Sequence, residues 1–212
     1  DRVTFEVRID LDDTEPPIWR RLRLASDLTI AQLHEILQIT MGWTDSHLHS
    51  FAMDAPATDG RSRPFRTPFD EDDTAGGIQE ADVRLDQVFA TVGDGLTYVY
   101  DFGDYWQHTL RLEGVEARGP DDPDAVCVGG ERACPPEDVG GIGGYDRVLE
   151  GLTGAGSDDE WLVEVLAWLP EGFDPAEFSV NGVNEALSGG PLPALTAWHP
   201  ALAETVYKYV DE

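Results

Sequence analysis

Two histidines one residue apart, His47-Leu48-His49, are the first groups whose types and spacing suit chemistry. In a strand, alternate side chains project from one face, about 6.6–7 Å apart at their Cα atoms, so both imidazoles can reach one metal ion. The same spacing also suits two partly buried histidines at a sheet margin. His34 falls inside the apolar stripe of a helix and His108 on the apolar side of a later strand. Four of the five histidines therefore lie on faces that otherwise read as core. Burying imidazoles without partners is costly, so these rings need polar company. Asp101 lies near His108 in a hairpin and would accept a ring N–H. That pairing suits a carboxylate behind a metal ligand, one orienting a general base, or a plain structural hydrogen bond. The candidate cofactor is a divalent transition metal, and its candidate ligands are His47, His49, His108 and Asp101.

Other chemistry has weaker signals. Cys127 and Cys134 stand too far apart for a zinc knuckle, and no second cysteine pair exists, so both read as structural thiols. Gly140-Gly141-Ile142-Gly143-Gly144-Tyr145 opens a helix, where anions can bind. It lacks the Lys-Ser/Thr of a phosphate loop, follows no strand and comes after Glu137-Asp138. It reads instead as a backbone crossing that needs glycine. No nucleophile elbow, HExxH motif or dinucleotide fingerprint occurs.

The elements that must position these residues follow from periodicity. Val3, Phe5, Val7, Ile9 and Leu11 alternate with polar residues as in a half-buried strand. After Pro16-Pro17, a strand over Ile18 to Ala25 places Arg20 on the same face as Leu22 and Leu24. An inward arginine either snorkels at the sheet margin or meets a buried acid. Thr29 and Gln32 have capping-box spacing, Ile30, Leu33, Leu37 and Met41 form a helical stripe, and Gly42 is placed to stop it. A strand is expected over His47 to Met53, a long excursion over 54–82, and a short helical turn over Leu85 to Phe89. Thr97 to Phe102 and Tyr105 to Glu113 flank Gly103-Asp104 and predict a hairpin with a two-residue turn. That register sets Asp101 opposite Trp106 and Val99 opposite His108, with apolar groups on both faces. Residues 114–144 read as loop. Helices are expected over Tyr145 to Leu152, after a Ser157–Glu160 capping box, within Phe173 to Leu187, and in the tail over Ala201 to Val210. The order predicts a single α+β domain over 1–212: a mixed or antiparallel sheet with a β-β-α-β start, a central hairpin and a helical C-terminal portion.

Forty-two acids against fourteen bases leave a net charge of −28. Lys208 is the only lysine. Such a surface repels nucleic acid phosphates and anionic lipid at ordinary salt. The acids are spread through turns, which suits a hydrated surface. No apolar run is long enough to span a membrane, and two cysteines point to the cytoplasm.

Several stretches read together resemble one family. They are Pro16-Pro17-Ile18-Trp19-Arg20-Arg21, Leu33-His34, Met41-Gly42-Trp43, His47-Leu48-His49-Ser50-Phe51 and the run Tyr100-Asp101-Phe102-Gly103-Asp104-Tyr105-Trp106-Gln107-His108. Ala133-Cys134-Pro135-Pro136-Glu137-Asp138, Gly140-Gly141, Gly144-Tyr145 and Phe173-Asp174-Pro175-Ala176-Glu177-Phe178 follow. This series resembles the plasmid pRiA4b ORF-3-like family over residues 3–187. The resemblance implies an α+β domain without an established activity, substrate or cofactor. It marks His34, His47, His49, Asp101, Asp104, Trp106, His108, Cys134, Glu137 and Asp138 as motif positions. The chain departs from the pattern at Val139, where relatives carry cysteine, and at Ser157-Asp158-Asp159-Glu160-Trp161, where they carry histidine and acids. A cysteine-based zinc site is thereby disfavoured. Three readings stand: a binding or accessory domain for a small ligand, peptide or protein, which is preferred; a His/Asp metal-binding domain with a possible hydrolytic role; and an accessory factor of a mobile element.

Overall fold

The computed structural model describes residues 2–53, 63–65, 78–154 and 159–189. Strict apolar alternation builds β1 (Val3–Leu11), which pairs antiparallel with β2 (Ile18–Ala25). Thr29 then caps α1 (Ile30–Met41) with the expected reciprocal bonds to Gln32, and Gly42 ends it at φ 87°. A side-chain cap of this kind contributes about 1 kcal/mol. Next come β3 (His49–Met53), β4 (Arg63–Pro64), β5 (Gly95–Tyr100), β6 (Trp106–Ala117) and β7 (Ala125–Glu131). Single helical turns over Glu80–Asp82 and Leu85–Gln87 precede β5. The helices α2 (Gly141–Leu152), α3 (Glu160–Trp168) and α4 (Val180–Leu187) complete the described chain. The strands form one sheet in the order β4-β3-β5-β6-β1-β2-β7, antiparallel at every pairing. The fold is α+β.

One sheet face is core and the other is wet. Val7, Ile9, Leu22, Leu24, Tyr98, Leu110 and Leu112 are buried together with Ile30, Leu33, Leu37 and Met41 of α1. The opposite face carries charge, with Arg21 bonded to Glu113 at 2.7 Å and Arg8 to Asp10 at 2.7 Å. Exposed pairs of this type contribute little to stability. α4 packs on β7 and α1, and α2 packs on α3.

The structure corrects several expectations. The hairpin closes through five residues, 101–105, so Tyr100 opposes Trp106 and Tyr98 opposes His108. The left-handed residues of that loop are Asp101 (φ 57°) and Tyr105 (φ 58°). A one-residue register change inverts every side chain. Tyr98, Tyr100, Trp106 and His108 therefore share the buried face, and the sheet is not apolar on both sides. Residues 114–144 are not all loop, because β6 runs to Ala117 and β7 occupies Ala125–Glu131. The strand near His47 starts only at His49. Asp159 caps α3, accepting from Trp161 and Leu162 N–H groups. Ser157, most of the 54–82 excursion and the expected helix over Ala201 to Val210 lie outside the described residues. Arg20 does not snorkel and meets no acid among the described residues; it donates to the carbonyls of Thr40, Trp19 and Glu131. The glycine crossing stands: a Cβ on Gly141, at φ 68°, would lie 2.5 Å from the Asp104 carbonyl oxygen, and one on Gly144 would collide with that of Val139.

Candidate functional site

A cleft of about 340 Å³ opens beside the first half of α1, lined by His34, Asp45, His47, His49 and Glu80 among others. Each arrives from a different local structure. His34 sits on the buried stripe of α1, and His49 begins β3. Asp45 stands in the turn after the helix at φ 57°, a conformation its short polar side chain tolerates. Glu80 comes from an irregular segment held against α1 by bonds from Ile30 N–H to the Val83 carbonyl and from Leu85 N–H to the Leu28 carbonyl.

The His34 and His49 rings stack, with centroids 3.5 Å apart and planes 7° from parallel. His34 Nε2 lies 2.8 Å from Asp45 Oδ1, and His49 Nε2 lies 3.1 and 3.2 Å from the two Glu80 oxygens. His34, Asp45 and His49 each bring one ligand atom within 4.8 Å of the others. Behind them runs a closed network. Gln38 Nε2 donates to Tyr98 Oη, and Gln38 Oε1 accepts from the Asp45 backbone N–H, which fixes the amide's orientation. Tyr98 Oη therefore donates to His34 Nδ1 at 2.9 Å, placing the neutral ring's proton on Nε2, facing Asp45. Burial, then the neighbouring His49, lowers the His34 pKa. Burial raises that of Tyr98 and keeps its hydroxyl neutral.

A second cluster adjoins the first. His47 Nε2 lies 3.3 Å from Asp138 Oδ1 and 3.8 Å from Asp101 Oδ2. Asp101 also accepts from Gly103 N–H, and Asp104 from Gly140 N–H. Burial raises the carboxyl pKa values of Asp104 and Asp138, each reinforced by neighbouring acids. Glu137 is a clamp: it accepts from Tyr100 Oη at 2.5 Å and from the Thr44 N–H and hydroxyl at 3.2 and 2.7 Å. It ties the 133–139 loop to the turn after α1.

The candidate ligands proposed from sequence thus divide. His49 faces His34 and Glu80, whereas His47 and Asp101 belong to the adjoining cluster. His108 joins neither: it is fully buried between the Trp43 and Tyr98 rings, and neither of its nitrogens has a hydrogen-bond partner among the described residues. Asp101 is not its partner. Trp106 is core, as is Cys127, while Cys134 is half-buried; both cysteines are free thiols. Sequence reasoning missed Asp45, Glu80, Gln38 and Tyr98.

The sequence model of the plasmid pRiA4b ORF-3-like proteins matches residues 3–182. The chain belongs to the plasmid pRiA4b ORF-3-like family. An uncharacterised protein of Sinorhizobium fredii, y4hQ, is 35% identical over 184 residues, covering 85% of this chain and 89% of the relative. The crystal structure of a protein of unknown function from Methanosarcina mazei Go1, MM3350, superposes with a TM-score of 0.72 at 32% identity. That match covers 85% of this chain and 96% of that one. As a family member the chain has no reaction assigned through these relatives, and its His/Asp clusters carry the functional argument. Among the described residues no helix is long and apolar enough to cross a membrane.

Proposed function

We propose that this member of the family is a divalent-metal-binding domain whose ion is held by His34, Asp45 and His49, with Glu80 behind His49. The observation that carries the reading is that one ligand atom from each of His34, Asp45 and His49 lies within 4.8 Å of the others, with the buried carboxylate of Glu80 against His49. Glu80 is 2% exposed and its partner among the described residues is the His49 ring. A buried carboxylate needs a cation, either an imidazolium or a metal. Tetrahedral ligand atoms on bonds of about 2.0–2.1 Å stand about 3.3 Å apart. His34 Nε2 and Asp45 Oδ1 stand 2.8 Å apart, and the stacked His34 and His49 rings would turn from parallel to direct their lone pairs at a shared ion. An ion on His34 Nε2 would require the ring's single proton to sit on Nδ1 and the His34–Tyr98 hydrogen bond to reverse, so the imidazole would change tautomer and stay neutral.

Imidazole and carboxylate donors together suit zinc and its first-row neighbours. A bound ion would lower the pKa of a coordinated water towards about 7. His47, on the same cleft and beside Asp138, is then the group nearest to hand for proton transfer. Two free thiols fit a reducing, cytoplasmic setting. The shared core of the described elements fits a single domain.

Metal analysis after purification without chelator, with melting curves against added Zn²⁺, Mn²⁺, Co²⁺ and Ni²⁺, tests the reading. Saturation at a hundredfold excess over Kd should stabilise the fold by about 2.7 kcal/mol. His34→Ala and His49→Ala should abolish the effect, Glu80→Gln should weaken it, and His47→Ala should leave it intact. Metal-free protein whose melting ignores all four ions would overturn the proposal.

A further inference from the structure

Arg20 is 1% exposed and forms no ion pair with any described residue. Its Nε donates to the Thr40 carbonyl at 3.2 Å, and its Nη1 to the carbonyls of Trp19 and Glu131 at 2.8 and 2.9 Å. Thr40 lies in the last turn of α1, the negative end of the helix dipole, and the Phe178 ring covers the guanidinium with Cζ 3.9 Å from its centroid. These contacts account for three of the five guanidinium N–H groups. The two on Nη2 have no bond to the described protein. A buried charge held by carbonyl dipoles and a ring has no counter-ion among the described residues.

The same arginine lines a second cavity, of about 280 Å³, with Met41, Trp43, Pro135, Phe173 and Phe178. That volume is at the small end of ligand pockets, which begin near 300 Å³. We infer that this cavity binds a small monocarboxylate with an apolar body, its carboxylate on Arg20 Nη2 and its body against Trp43 and Phe173. Nε and Nη1 are already committed to carbonyls, so recognition is through Nη2 alone and not through a bidentate fork. The walls are too apolar for a dianion such as phosphate. Four acids line the cavity: Glu171, Asp174 and Glu177 are exposed and screened by salt over about 8 Å under physiological conditions, while the oxygens of buried Glu137 are taken up by Tyr100 and Thr44. Arg20 is enclosed and keeps its attraction. The site is separate from the histidine cleft.

The test is calorimetric titration of the full chain with phenylacetate, phenylacetamide and inorganic phosphate. Phenylacetate should bind at concentrations of about 10 mM or below, and the uncharged amide at least about tenfold more weakly, because a charge-assisted bond is lost. Inorganic phosphate should not compete. Arg20→Met removes the charge but also three structural bonds. Ala133→Trp therefore serves as the second variant, filling the cavity from a half-buried lining position. It should abolish binding while melting and the metal response stay unchanged. Equal binding of acid and amide, absence of phenylacetate binding, or wild-type affinity in folded Ala133→Trp would each overturn the inference. None of these outcomes touches the metal cleft.

Discussion

Replacing His108 with methionine should change how stability depends on pH while hardly changing it at neutrality. Burial, the largest influence, and then the charge of Arg20 depress the His108 pKa from its ordinary 6.5 to about 3, against two backbone carbonyls, of Tyr98 and Trp106, that raise it. Between pH 6.5 and about 3 the unfolded chain binds a proton at this ring that the folded chain refuses. Stability therefore falls as pH drops through that window, by about 1.4 kcal/mol per unit once well below 6.5. The integrated loss is about 3 kcal/mol at pH 4.5. Methionine has similar bulk, suits the aromatic neighbours Trp43 and Tyr98, and does not titrate. The Tyr98 and Trp106 carbonyls act on the ring without a hydrogen bond of normal geometry to any described residue, so the variant should stay within about 1 kcal/mol of wild type at pH 7.5. Urea unfolding of both metal-free proteins between about pH 7.5 and 4.5 isolates the effect, because the carboxylates and His34 titrate in both and cancel in the difference. Two stability curves that run parallel down to pH 4.5 would refute the reasoning and place a bonded or hydrated His108 in the core.

Two further outcomes are expected. Tyr98→Phe removes the hydroxyl that orients His34, and should weaken metal affinity by about 10–100-fold in a chelator competition while the fold survives. Gly141→Ala drives a Cβ towards the Asp104 carbonyl at a left-handed φ and should cost about 1–3 kcal/mol in urea unfolding; unchanged stability would show that the crossing yields freely.

What was legible in the sequence was whatever one segment could specify alone. The strict alternation of β1, the capping box at Thr29 and Gln32 and the glycine stop at Gly42 are local devices, and each appears where the residues place it. The rest depended on partners. β7 reads Ala-Val-Cys-Val-Gly-Gly-Glu, with two glycines weakening its propensity, and it is a strand because β2 offers it an edge. The hairpin misled for a different reason. Gly103-Asp104 is a good two-residue turn in isolation, but that register would have put Tyr98 and His108 on opposite faces. Burial of Tyr98, Tyr100, Trp106 and His108 together outweighs the turn preference, and the loop takes five residues to permit it.

The same distinction explains the candidate site. His47-Leu48-His49 drew attention because its period assumed a strand, yet the strand begins at the second histidine and the first belongs to another cluster. The better signal was in α1. His34 and Gln38 are four residues apart and both interrupt an otherwise apolar stripe, so they must be buried side by side. Two adjacent polar groups in a core cannot satisfy each other fully, and they require acceptors and donors brought from elsewhere in the chain. Tyr98, Asp45 and, through the stacked His49, Glu80 are those groups. A polar pair set into a helical stripe thus announces a network, though only the tertiary fold names its other members. Glu80 was invisible because its position depends on backbone bonds from an irregular segment to the start of α1, which no periodicity records.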